Sequence, residues 1–451
     1  MVQTPLEYVA PPQTVARAPF VDGIASSVWN FSATPSPRLG ASGDHHRRSF
    51  PSPSGAAPSL PLAGIRVVEF GVAAVVPECV WMLSELGAEV IKIENRATGG
   101  DPSRQSGSVT LADDDSAYFQ AFNLAKKSVT LNLKSDEGRA LFHELVKKSD
   151  VVWNNLRGSQ PAKMGLTYDD LKGVKPDIIC THISAYGRDN DRADWPGYDY
   201  LMQAECGFLS VTGEPGTPPS RFGLSMIDFM TGVVAALGCV SALLARPSQG
   251  GRDVDISLFD VALHQLTYPG TWYLNHGIET GRVARSAHPY NTPVQLYKTQ
   301  DGWIFIMCMT DKFWGLLLER TGHNELANDP RFNSMAARAE NRDSLTEVLD
   351  EIFKTKGTDH WFALLQTYIP VAPVNDLPSA LDNPFVASIG MMQNMTHREF
   401  GEYRGLSNPI KIDQQRLQTN CGPGLGADNQ EILGEELGVG DLEDLAARGV
   451  I

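Results

Sequence analysis

The stretch from Gly64 to Glu94 constrains the fold of this chain more than any other. Gly64-Ile-Arg-Val-Val-Glu-Phe-Gly71 is an apolar run of strand length that closes on a glycine. Glu78–Leu86 has helical character, and Gly87-Ala-Glu-Val-Ile-Lys-Ile-Glu94 is a second strand. Strand, helix and strand within about thirty residues make a βαβ unit. Such units connect parallel strands by a right-handed crossover, so the expected fold class is α/β, with a doubly wound, Rossmann-like large domain.

The alternation goes on. Strands are expected at Ser128–Leu133, Asp150–Asn154, Ile178–Ser184 and Gly251–Leu258, and helices at Glu137–Lys148, Leu201–Leu209 and Met230–Ala245. Beyond about residue 268 the pattern changes to a strand, Trp303–Met309, followed by amphipathic helices over Phe313–Leu365. With 451 residues the chain exceeds what one core usually supports. We therefore expect a large domain over 60–267, a smaller α+β domain over 268–376, and a segment, 377–451, returning to the first. Residues 1–59 carry repeated Pro, Ser, Ala and Gly without apolar periodicity and read as a flexible extension. Its basic cluster, His45 to Arg48, is read as part of a solvated tail, with contact to an anionic ligand or membrane as the alternative. A short echo joins Pro37-Arg-Leu-Gly-Ala41 to Pro423-Gly-Leu-Gly-Ala427.

Composition narrows the function. A net charge of -15 argues against nucleic acid as a partner, because phosphate binding requires clustered cations. An anionic small molecule held by a local basic patch remains compatible. The six cysteines, Cys79, Cys180, Cys206, Cys239, Cys308 and Cys421, form no C-x-x-C pair, so no metal site is expected and reduced thiols in a cytoplasmic protein fit best. The opening residues lack a signal-peptide pattern. Met230–Ala245 is short for a membrane span and is expected to be a buried helix.

The turn after the first strand, Phe70-Gly-Val-Ala-Ala74, lacks G-x-G-x-x-G, which disfavours a dinucleotide cofactor. P-loop, G-x-S-x-G and H-E-x-x-H motifs are also absent from the sequence. Basic residues near strand ends remain: Arg96, Arg104 and the pair Lys126-Lys127. Ligands of open α/β sheets collect at the carboxyl ends of strands, where such cations can meet phosphates; a solvated pair is the other reading of Lys126-Lys127. Asp199, in Pro196-Gly-Tyr-Asp-Tyr200, follows a loop and precedes a helix. Two readings stand open there, a helix N-cap and a carboxylate nucleophile.

Pro61-Leu-Ala-Gly-Ile-Arg-Val-Val-Glu-Phe70, Leu86-Gly-Ala-Glu-Val-Ile-Lys-Ile-Glu94 and Gly99-Gly-Asp101 together resemble the opening of the family III CoA-transferases, the group that includes formyl-CoA transferase. The resemblance continues through Phe122-Asn-Leu-Ala-Lys-Lys-Ser128, Asp150-Val-Val-Trp-Asn-Asn155, Gly165-Leu166, Gly197-Tyr-Asp199, Gln203-Ala204, Thr212-Gly213 and Gly250-Gly-Arg-Asp-Val-Asp255, and so spans nearly everything from Pro61 onward. It implies an interlocked homodimer, or a heterodimer with a paralogous subunit, acting on an acyl-CoA and a small carboxylic acid. Coenzyme A thioester is then a co-substrate, with no tightly bound cofactor. It implies Asp199 as the nucleophile, passing through an aspartyl anhydride and an aspartyl-CoA thioester, and it implies CoA contacts at Val72, Ala73, Ala74, Arg96, Arg104, Lys126 and Lys127. Relatives commonly show N-x-N-K-R where this chain has Asn123-Leu-Ala-Lys-Lys127, so one CoA-positioning amide is replaced.

Two rivals accompany that reading. An α-methylacyl-CoA racemase on the same fold would pair the aspartate with a histidine, but Gly165-Leu-Thr-Tyr-Asp-Asp170 contains none and His182 lies on a strand. A CoA-binding subunit of a heteromeric transferase would have no need of Asp199. The acids exchanged are open: succinyl-CoA is one donor used by relatives, and Arg221 or Arg285 could receive a second carboxylate. Tyr268–Leu274 reads as a pocket wall or a core helix, and His288 as a substrate-side residue or a hydrogen-bonded loop histidine.

Overall fold

Six parallel strands form the central sheet of the computed structural model, which describes residues 60–451. The expected extension over 1–59, with its basic cluster and half of the echo, lies outside the described residues. The elements are β1 (Arg66–Phe70), α1 (Val75–Glu85), β2 (Glu89–Glu94), β3 (Lys127–Thr130), α2 (Asp136–Lys147), β4 (Val151–Asn154), β5 (Ile179–Ser184), α3 (Asp199–Glu205), α4 (Met226–Gln249) and β6 (Arg252–Ser257). Spatial order is β3-β2-β1-β4-β5-β6, the doubly wound arrangement. Its direction reverses between β1 and β4, which makes their carboxyl ends the topological switch point.

Because strand side chains alternate, the sheet has two apolar faces. Val67, Trp153, Ile179 and Ile183 pack with Val76, Val80 and Leu83 of α1 and Ile227, Ala235 and Cys239 of α4. Val68, Ile91, Val129, Val152 and Cys180 face α2 and the chain end, Ile432 to Ile451. Phe142 of α2 is fully buried with its ring edge-on to Phe70 at 5.3 Å, so truncation to alanine would cost about 3–5 kcal/mol. The C-terminal segment also covers the open edge of β3: Asp428 Oδ2 accepts from Ser128 N at 2.7 Å and Asn429 Oδ1 from Thr130 N at 2.9 Å.

The chain divides into two compact units, a large one of residues 60–289 with 303–305 and 373–451, and a small one of 290–302 with 306–372. The sequence reading put these divisions at about 268 and 377. The intervening helices, Leu258–His264 and Thr267–His276, carry aromatic and polar residues whose spacing does not announce a boundary. The small unit packs Leu317, Leu345, Leu349, Phe353 and Trp361 in its core.

Helix α4 departs from expectation. It runs 24 residues, longer than read, with a mean hydropathy of 2.0, and is long and apolar enough to cross a membrane, yet only 33% of its apolar window is buried. One face packs tightly; Val233, Leu237 and Leu244 on the rest are exposed. The helix is apolar over most of its length, and the described residues supply neighbours on one side only.

Candidate active site

The loop that delivers Asp199 is anchored at both ends. Arg188, just after β5, pairs with Asp253 at 3.1 Å and with Asp255, both on β6. Gly197 lies so close to Ala185 that a Cβ there would stand 2.4 Å from the alanine methyl. The chain then turns into α3, whose N-cap position is Tyr198, with no side-chain capping bond. Asp199 is therefore not the cap of its own helix. Its buried carboxylate instead caps a different one: Oδ2 accepts from Ile227 N at 2.6 Å and Asp228 N at 3.1 Å, the first turn of α4. Such N–H groups have no intrahelical acceptor and favour negative charge.

Oδ1 accepts from Gln203 Nε2 at 2.5 Å. Gln203 lies one turn along α3, and its amide is oriented by Phe222 N, which donates to Oε1 at 2.8 Å, and by the Leu224 carbonyl at 3.3 Å. Two other acids stand nearby. Burial and then the charge of Asp199 push Asp228 up to about 7; burial and then Asp228 push Glu78 up to about 7. The half-exposed aromatic groups of Tyr118, Phe122 and Phe229 follow in a chain, with ring centroids 5.3 and 6.2 Å apart.

The residues expected to contact CoA separate into groups. Val72 and Ala73 are exposed on the turn after β1, at the switch point, where Asn155 holds Val72 N at 3.1 Å and its carbonyl at 2.9 Å. Ala73 adopts φ 64°, and its N–H donates to Asp101 Oδ1 at 3.2 Å. Arg96 is exposed on the turn after β2. Ala74, by contrast, is buried. Arg104 is buried too, forked onto Glu94 at 2.8 and 2.7 Å and stacked 3.9 Å above Phe119. Lys126 is fully enclosed by Glu69 at 2.8 Å, the Pro77 carbonyl at 2.8 Å and Asn123 at 3.0 Å. Lys127 opens β3 and bridges Glu89 and Glu431 at 2.7 Å each, on the edge opposite the strand carboxyl ends. Their charges are already met, so Arg104, Lys126 and Lys127 are not carried into a CoA site.

Beneath the β1 turn lies a closed ionic network. Lys92 binds Asp101 at 2.8 Å, Glu69 at 3.3 Å and the Gly71 carbonyl at 2.5 Å. Burial opposes the charge of Asp101, but Lys92 and Ser103 outweigh it and hold the carboxyl below its ordinary value. Burial, partly offset by Glu69, pushes Lys126 down to about 8.

Sequence reasoning missed Asp228, Glu78 and Lys92 as site-forming residues, since Asp228 and Glu78 lie far from Asp199 along the chain and Lys92 far from Val72. Gln203 had a signal, its i, i+4 spacing from Asp199 on one helix. His182 is buried with Nδ1 accepting from Asn154 at 2.9 Å and Nε2 donating to Asp253 at 3.0 Å, so both ring nitrogens are committed. His288 stacks on Tyr268 at 6.1 Å, and Tyr273 and Leu274 are exposed, so Tyr268–Leu274 is not a core helix in this chain. Arg221 lies 4.3 Å over Tyr200 and donates to the Phe222 and Gly223 carbonyls; the Arg285 N–H donates to Glu214.

Comparison with known proteins supplies a family and a fold. The model of CoA-transferase family III matches residues 62–429. An acyl-CoA transferase of Fusarium pseudograminearum is 34% identical, covering 85% of this chain and 86% of that protein. A succinate–glutarate CoA-transferase of Agrobacterium fabrum is 32% identical, covering 83% and 95%. The crystal structure of a CaiB/BaiF family protein from Brucella suis superimposes with a TM-score of 0.74 at 32% identity, covering 84% of this chain and all of that one.

Proposed function

The chain belongs to CoA-transferase family III, and from that premise we propose that it moves CoA from an acyl-CoA donor to a carboxylic acid through covalent intermediates on Asp199. The observation that carries the reading is the pair of α4 N–H groups on Asp199 Oδ2.

A carboxylate is a weak nucleophile, and its usefulness lies in the anhydride it forms. Oδ1 attacks the donor thioester carbonyl, the C–S bond breaks, and CoA leaves as thiolate. The thiolate then attacks Cγ of Asp199, the anhydride C–O bond breaks, and the donor acid departs as carboxylate. The acceptor carboxylate attacks the resulting aspartyl-CoA thioester and the sequence runs in reverse. Each attack on Cγ turns Oδ2 into an oxyanion. Ile227 N and Asp228 N already hold that atom and need no reorganisation as charge develops. Enclosure of Asp199, at 3% exposure, keeps water from the anhydride.

In this reading the CoA nucleotide lies against the exposed turn Val72–Ala73 with Arg96 beside it, at the carboxyl edge of β1 and β2. The exposed apolar residues of α4 support a dimer in which a second chain covers them. Succinyl-CoA is the donor to try first, because the name of the Agrobacterium relative pairs succinate with glutarate. The test is to mix the protein with an acyl-CoA and hydroxylamine and locate the adduct by mass spectrometry. A hydroxamate at Asp199 is expected; transfer that proceeds in an Asp199→Asn variant would sink the proposal.

A further inference from the structure

Three carboxyl groups converge where α1 and α4 meet, and only one is supplied with hydrogen-bond donors. Asp199 has three, from Ile227 N, Asp228 N and Gln203 Nε2. Among the described residues no donor bonds the carboxyl of Asp228 or Glu78, and Glu78 Oε2 is buried without a partner. Gly232 explains the closeness: a Cβ there would stand 3.1 Å from the Val75 carbonyl and 3.3 Å from Cys79 Cβ. Asp228 precedes Gly232 by one helical turn, and Glu78 lies between Val75 and Cys79, so the helix contact sets the two acids side by side.

We infer that Glu78 and Asp228 are positioning residues for the Asp199 chemistry: each holds its own proton just below neutral pH, so that neither adds negative charge beside Asp199. The inference rests on the proposed role of Asp199 and deepens it. Three adjacent carboxyls, Asp199 buried and Glu78 and Asp228 half-buried, do not all ionise, and the proton settles where donors are lacking. The groups around the pair do not supply a compensating charge. From α1 it meets the buried Cys79 thiol, from α3 Asp199, and from the turn Ala117–Gln120 the Tyr118 hydroxyl, all neutral or negative. Lys126, which bonds the Pro77 carbonyl one residue before Glu78, is already paired with Glu69. Burial raises both acids to about 7, helped at Glu78 by the charge of Asp228 and at Asp228 by the charge of Asp199. Above neutral pH the pair ionises and adds negative charge where an anionic acid and a thiolate must arrive, so acyl transfer slows.

The experiment is single-turnover acylation of the full chain by an acyl-CoA, read as hydroxylamine-trapped Asp199 across the pH range. The rate is expected to fall by about tenfold per unit above about pH 7. Glu78→Gln and Asp228→Asn each remove one of the two ionisations and keep the shape, so in each the fall, normalised to that variant's own rate at about pH 6, is smaller than in wild type. An independent readout is the infrared C=O stretch of a protonated carboxyl at about pH 6, which weakens in each variant. If Asp199 is not labelled at any pH, the proposed function fails. If it is labelled but the falls of wild type and both variants superimpose, this inference alone is overturned. A merely structural role for Glu78 lowers the rate at every pH and leaves the fall in place.

Discussion

Two clusters of charged side chains, one buried and one half-buried, meet in the first turn of α1 and are managed in opposite ways. At Pro77, Lys126 reaches in from a network in which Lys92 and Lys126 match Glu69 and Asp101, with Arg104 matched to Glu94 beside it. One residue on, Glu78 joins Asp228 and Asp199 in a cluster whose carboxyls have no cation bonded to them among the described residues. The first cluster is balanced and closed, and its product is geometry: it holds the Gly71 carbonyl and the Ala73 N–H and so sets the turn at the switch point. The second is unbalanced, so its members compete for protons. Perturbed groups of that kind are the ones suited to chemistry.

The largest effect separating the clusters is expected at Asp199. Asp199→Asn should lower CoA transfer by about a thousandfold or more while circular dichroism shows an intact fold; an active variant erases the distinction. Next comes Lys92→Met, which leaves Asp101 without its cation and should lower unfolding free energy by about 3–5 kcal/mol in a denaturant titration. A loss under about 1 kcal/mol would mean the network is not closed as described.

The unbalanced cluster makes an opposite prediction for stability. Glu78 moves from 4.5 to about 7, so folding binds a proton, and the stability this provides is full below about pH 4.5 and lost as pH rises through about 7. Glu78→Gln should therefore be stabilising relative to wild type at about pH 8 and not at about pH 4, by at most about 3 kcal/mol, read as the pH dependence of thermal melting. The smallest contrast lies between two surface cations. Arg96→Ala, at the carboxyl edge, should raise KM for acyl-CoA by about tenfold. Lys127→Ala, at the opposite edge, should leave KM in place and cost under about 1 kcal/mol of stability.

The strands were legible to within a residue or two at most ends, most plainly where burial on both faces leaves a largely apolar run: Gly64–Gly71 frames β1, and Ile178–Ser184 is β5 with one extra residue. Helix α4 was placed but misjudged, since composition reports apolarity and not what covers it. Cations were read least well. A buried arginine and an exposed one look alike in sequence, and only the partner, Glu94 for Arg104, distinguishes them.

By itself the sequence determined the parallel α/β sheet, the family through an ordered set of short matches, and Asp199 as the residue to watch, because these depend on local periodicity and on residue identity at fixed spacing. The tertiary structure alone decided what surrounds Asp199. Its donors come from residues 227 and 228, its acidic neighbour is residue 228, and that acid in turn meets residue 78; a hydrogen bond or a charge interaction depends on distance in space, which the spacing of residues along the chain does not encode.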